Sequence, residues 1–259
     1  MSFPGPRERK EPSPPFRDPN LDKGKALASL KSKKKIVKLT KVGKSLKKKV
    51  QRQFDARQEI KKYLKENYLK LKIDLDYVNI RDMYSILGAI DDFTKEYPTV
   101  ASKLSYIGNK RKTPLPEKIA GRVICEHYEI SSLFNKSFGI FVNPKFWSDP
   151  KMHDRIDYEV EQGWRPMTKN PIRSIITHEL GHALYNTLSD NIKKENRSLF
   201  LRTAAFGYYK NFAVSTYSLN DEEEFFASNF AYVKGNNIEN ITDNHMIELF
   251  RRDVLGERK

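Results

Sequence analysis

Apolar positions recur at helical spacing through most of this chain. Over residues 51–72, Phe54, Ile60, Tyr63, Leu64, Tyr68 and Leu71 line one side of an otherwise charged segment. Over residues 79–98, Ile80, Met83, Ile86, Leu87, Ile90 and Phe93 predict a second helix, which Pro98 ends. Gly108 to Pro116 reads as a loop. Residues 118–128 and 137–143 read as two strands, the second closed by Pro144. The short link Ser131–Lys136 allows them to pair antiparallel. Residues 151–168 predict a short helix and a polar loop around Gly163-Trp164-Arg165-Pro166. Asn170 then Pro171 is an N-cap followed by an N1 proline, and Ile172, Ile175, Ile176, Ala183 and Leu184 give the helix it opens an apolar face. Further helices are expected over 191–212, 221–233 and 244–254. Asn220 or Asp221 can cap the second of these, and its acidic first turn suits the helix dipole. No internal repeat is present. The pattern predicts an α+β fold, mainly helical with a small β-sheet.

The helix opened by Pro171 carries His178-Glu179-Leu180-Gly181-His182, an H-E-x-x-H motif. Residues four apart on a helix share a face, so both imidazoles can address one metal ion. Glu179 is then placed to act on a metal-bound water as general base. The bland alternative is two surface histidines on an amphipathic helix. A catalytic zinc needs a third protein ligand and an open position. The extended motif with a third histidine is absent, because position 185 is Tyr and position 188 is Leu. A carboxylate from a downstream helix is the other common solution. Glu222-Glu223-Glu224 opens an apolar helix, and one of the three should face the metal. Dipole stabilisation alone explains two of them. His127, His153 and His245 have no ligand spacing and read as structural or surface residues.

Charge divides the chain. The total is +15 over 259 residues. Residues 1–50 hold 16 Lys/Arg against 4 Asp/Glu, or +12, and the remaining residues carry only +3. Six prolines within the first 20 residues predict disorder. The lysine-rich stretch 31–50 has Ile36, Val37, Leu39, Val42 and Leu46 interleaved, so it can form a basic amphipathic helix on an anionic surface. Its expected partner is nucleic acid or another polyanion; a solvated tail is the alternative. The expected domains are a disordered basic arm at 1–50, a helical segment at 51–74 and a larger domain at 75–259. The single cysteine, Cys125, excludes an intramolecular disulfide framework and a cysteine zinc cluster, and within Val123-Ile124-Cys125 it reads as a small buried hydrophobe. No signal peptide and no membrane-spanning run are visible. A cytoplasmic or virion-associated protein is expected.

The segment from Ser215 through Tyr217 and Glu222-Glu223-Glu224-Phe225-Phe226-Ala227 to Phe230, following the H-E-x-x-H helix, resembles the third-ligand segment of the anthrax lethal factor peptidase family. Related domains occur in phage head-associated proteins. The order of elements over residues 80–235 is similar, and the two short motifs carry the specificity. The resemblance implies a zincin-like metallopeptidase domain with Zn2+ held by His178, His182 and Glu224. It implies that the Tyr217 hydroxyl faces the reacting carbonyl. Two departures stand out: Ser228 where the family often has an acid, and an inserted Thr216. The implied function is a zinc-dependent endopeptidase acting on a peptide or protein substrate, which adds as a strand at 118–128 or 137–143. One rival is a virion structural or nucleic-acid-binding protein, with phage capsid partners and a zinc site without turnover; the retained Glu179 speaks against it. Another is a toxin-type effector peptidase.

Overall fold

A computed structural model describes residues 41–68, 70–111, 123–131, 136–206 and 214–236. They form a mixed α+β structure of eight helices and one four-stranded sheet. The chain divides into two compact units, Met1–Gln51 and Arg52–Lys259. Of the first unit, only the opening turns of helix α1 (Lys41–Asn67) are described. That helix starts inside the stretch expected to be a disordered arm. Lysine is a good helix former, and Val42, Leu46 and Val50 follow one another at i, i+4. The expectations for residues 1–40 lie outside the described residues.

Within the second unit, Ile60 and Leu64 of α1 are buried. A short strand β1 (Lys72–Asp74) leads to α2 (Ile80–Glu96). Asn79 caps α2, its side chain accepting from the Asp82 N–H at 3.0 Å. Pro98 does more than stop α2, for it is the first residue of a helical turn, α3 (Pro98–Ala101). Strands β2 (Leu104–Gly108), β3 (Cys125–Ser131) and β4 (Lys136–Val142) complete a sheet of order β1-β2-β4-β3. The first two pairings are parallel, and β3 pairs antiparallel with β4, His127 opposite Ile140. β3 starts later than the strand expected at 118–128, whose first residues lie outside the described ones. β1 and β2 have no counterpart in the sequence reading. One is three residues long. The other, Leu-Ser-Tyr-Ile-Gly, is an interior parallel strand without alternation.

The start of β3 is pinned from the far side. The Ile124 carbonyl accepts from the Asn143 N–H at 3.1 Å and from the Trp147 indole at 3.0 Å, across the turn of α4 (Pro144–Trp147). Then come α5 (Met152–Glu161), α6 (Pro171–Tyr185) and α7 (Asp190–Phe206). A 3-10 turn (Tyr217–Leu219) and α8 (Glu222–Gly235) follow. The Asn170 side chain accepts from the Arg173 N–H at 3.0 Å, and Asp221 accepts from Glu223 and Glu224 N–H at 2.9 and 2.8 Å. Both caps are the ones the sequence offers. The helix expected at 244–254 lies outside the described residues. No described helix is long and apolar enough to cross a membrane.

α6 packs against α2 and α8 at once, through Ile176 and Leu180 on one helix and Phe225, Phe226 and Phe230 on another, all buried. α6 and α8 meet at Gly181. A Cβ there would sit 3.0 Å from the Ala227 Cα and 3.1 Å from a Phe230 ring carbon. Gly181→Leu is therefore expected to overpack the contact and cost about 1–3 kcal/mol in denaturant unfolding. Wild-type stability in that variant would show that the two helices are not set by this contact.

Candidate metal centre

The α6–α8 contact brings three side chains to one point. His178 and His182, one turn apart on α6, present their Nε2 atoms 3.2 Å from each other. Glu224, in the first turn of α8, places Oε2 3.0 Å from His178 Nε2 and 3.5 Å from His182 Nε2. The three side chains are mostly buried. Oε2 is within reach of both rings, yet it is buried without a well-aligned hydrogen bond. Two imidazole nitrogens this close can share one proton at most. Three acceptor atoms thus converge where a cation would satisfy all of them. Among the described residues, this group can hold a metal ion.

The electrostatics follow from the same packing. Burial pushes the Glu224 carboxyl up, but the two histidine rings outweigh it and hold the group well below the usual carboxylate range. Burial pushes His182 down, and the Glu224 and Glu179 carboxylates more than reverse this. The site thus holds negative charge against the imidazoles without help from outside.

The other two acids of the triplet point elsewhere. Glu222 accepts from the Tyr185 hydroxyl at 3.2 Å and lies 3.6 Å from Arg197 Nε, and Glu223 is exposed. Helical phase explains the choice. Ala227 faces Gly181, so Glu224, one turn earlier, faces the histidines, and Ser228, one turn after Glu224, lies beside His178. Ser228 Oγ is 3.4 Å from His178 Nδ1, a long contact.

Tyr217 stands at the mouth of the site. Its hydroxyl donates to Glu224 Oε1 at 3.1 Å, and its ring centroid is 5.9 Å from that of His178. Burial, then the charges of Glu224 and Glu179, push the phenol well above its ordinary range, so it stays a proton donor. Thr216 anchors this turn. Its N–H and its hydroxyl both donate to the Gly163 carbonyl, at 2.7 and 3.1 Å. Gly163 has φ +70°, where a side chain would be strained. Buried Glu159 fixes the same turn by accepting from Arg165 Nε at 2.7 Å and Arg155 Nε at 3.3 Å. The turn carrying Trp164 and the turn carrying Tyr217 are thereby tied together beside His178.

Glu179 is not one of the three donors, but it lies close enough for its charge to act on His182 and Tyr217. It is buried, and Oε2 accepts from the His127 main-chain N–H at 2.7 Å. His127 is the site neighbour that sequence reasoning missed. Its ring stacks on His182, and burial, then the charge of His182, lowers its pKa to about 4. No local motif marks it, since strand pairing and helix packing bring it in from 52 residues away. Cys125, two residues before it, is partly buried against the core and not fully buried as expected, and its thiol is pushed up by burial and then by Glu179. His153 is elsewhere, 3.2 Å from Asp82 Oδ2, and His245 lies outside the described residues. A cavity of about 110 Å3 opens beyond His127, over Phe138, Ala183 and Val100.

Comparison of the chain with protein-family models, with curated proteins and with solved structures finds no match.

Proposed function

We propose that this chain is a zinc-dependent endopeptidase built on a zincin-like domain, as its resemblance to the anthrax lethal factor peptidase family implies. The observation that carries the reading is the donor triangle, with sides of 3.0, 3.2 and 3.5 Å. Three ligands at ordinary zinc bond lengths occupy tetrahedron corners about 3.3 Å apart. Two histidines and a glutamate are also the donor set of catalytic zinc sites, which leave the fourth corner open. Zinc bound there would acidify a water and polarise the scissile carbonyl.

The chain's own residues supply the rest. Glu179 takes a proton from the attacking water and delivers it to the leaving amine. Tyr217 carries a protonated phenol that donates to the developing oxyanion. Substrate binding is supported by the sheet edge. The Ile124 carbonyl faces Asn143, so Glu126 and Tyr128 face β4 while Cys125, His127 and Glu129 face the open side. Among the described residues β4 is interior to the sheet and β3 lies at an edge, so of these two strands β3 is the one to which an extended peptide can add.

The test joins a metal analysis to a mixed-peptide cleavage assay. Protein purified without chelator should carry about one zinc per chain, cleave internal peptide bonds, and lose both properties on chelation. Zinc without cleavage would favour a structural site. Tyr217→Phe should keep its zinc and lose turnover by about 10²–10³-fold, as when one oxyanion donor is removed. Unchanged turnover would return Tyr217 to a packing role.

A further inference from the structure

An open sheet edge leaves its outward main-chain N–H groups to water or to an added strand. At His127 that group is taken by Glu179 Oε2, at 2.7 Å. The ring of the same residue lies 5.9 Å from the His182 ring, the planes only 18° apart. The same ring lies 5.8 Å from that of buried Phe138. One strand residue therefore touches the side chain read as the base and a side chain read as a ligand. Glutamate has three rotatable bonds, and a single fixed donor at its tip removes most of that freedom.

We propose that His127 is the positioning residue of this site: its main-chain N–H holds the Glu179 carboxylate in place, and its ring backs the His182 imidazole. The consequence for turnover rests on the peptidase reading, whereas the consequence for the resting protein does not. The contact also limits substrate binding. With its N–H already taken, His127 can offer an added peptide strand only its carbonyl.

Amide hydrogen exchange on the full chain tests the first half without any activity. In Glu179→Ala the His127 amide should exchange at least about 10-fold faster than in the wild type, as an edge group released to water. The amides of Glu126 and Tyr128, which face β4, should not change. Glu179→Gln retains an acceptor oxygen and should keep the His127 amide slow. An unchanged His127 rate in Glu179→Ala overturns the proposal.

Turnover tests the second half. Proline is tolerated on an edge strand where the N–H faces outward. His127→Pro should lower kcat by about 10–100-fold with KM within about twofold and zinc retained. His127→Ala keeps the N–H but loses the ring, so it should bind zinc more weakly and lose less kcat than His127→Pro when zinc-saturated; His127→Phe restores the stacked ring and should restore zinc binding. Wild-type kcat in a folded, zinc-loaded His127→Pro protein overturns the proposal. Should that variant not fold, the exchange result decides. A wild-type protein that cleaves no peptide defeats the peptidase reading alone, because the exchange result still judges His127.

Discussion

Glu179→Gln is expected to keep its metal and lose peptide hydrolysis by about 10²–10⁴-fold, the usual contribution of a positioned acid–base group. The substitution is nearly isosteric. Gln retains an oxygen that can accept the His127 N–H, so the link between α6 and β3 survives. It removes only the ability to take up a proton. The control is metal content and thermal midpoint, both of which should match the wild type. Glu179 lies outside the donor triangle, which is why chemistry and metal binding should separate here. Full activity in the variant would mean that the proton goes elsewhere, and the assignment of Glu179 would fall.

The second large effect is on the metal itself. His178→Ala, His182→Ala and Glu224→Ala should each lose zinc affinity by more than the roughly 10–100-fold typical of an outer-shell partner. Glu222→Ala and Glu223→Ala should retain it, because helix-terminus charges contribute about 0.3–1 kcal/mol each. Elemental analysis of the five purified variants reads the result directly. Zinc loss at Glu222 or Glu223 equal to that at Glu224 would overturn the ligand set. Acid should act in the same direction as ligand removal. Both imidazoles must be neutral to bind, and Glu224 and Glu179 raise the His182 pKa against the effect of burial. Protons therefore compete with the metal for His182, and the apparent zinc affinity should fall steadily as pH is lowered.

These experiments also mark where the sequence was readable. α6 was legible because its cap, its N1 proline and its paired histidines all lie within fifteen residues. The acidic triplet gave three candidates, since a helix start favours acids whatever they do. The resemblance singled out Glu224, and the physical reason for that choice, that Ala227 meets Gly181, is a fact of tertiary packing. The antiparallel β3–β4 pair was foreseen from two apolar runs and a short link. β1 and β2 were not, because strands this short show no period. His127 was read as structural or surface because nothing near it in sequence suggests a site. Its place is set by an edge strand docking on a helix, a relation with no local signature.

The glycine–alanine crossing of α6 and α8 has a consequence for the choice and the cost of a bound ion. Donors carried on two interlocked helices stand ready at their separations beforehand, so loading needs no folding event, unlike a zinc finger. Apoprotein and loaded protein should share one fold and nearly one far-ultraviolet spectrum. The same rigidity discriminates by radius. A cation such as Ca2+, with oxygen bonds of about 2.3–2.6 Å and a wish for six or more ligands, would have to prise apart a contact with no spare room. Enlarging the cradle would mean loosening the helices, and with them the hydrophobic core.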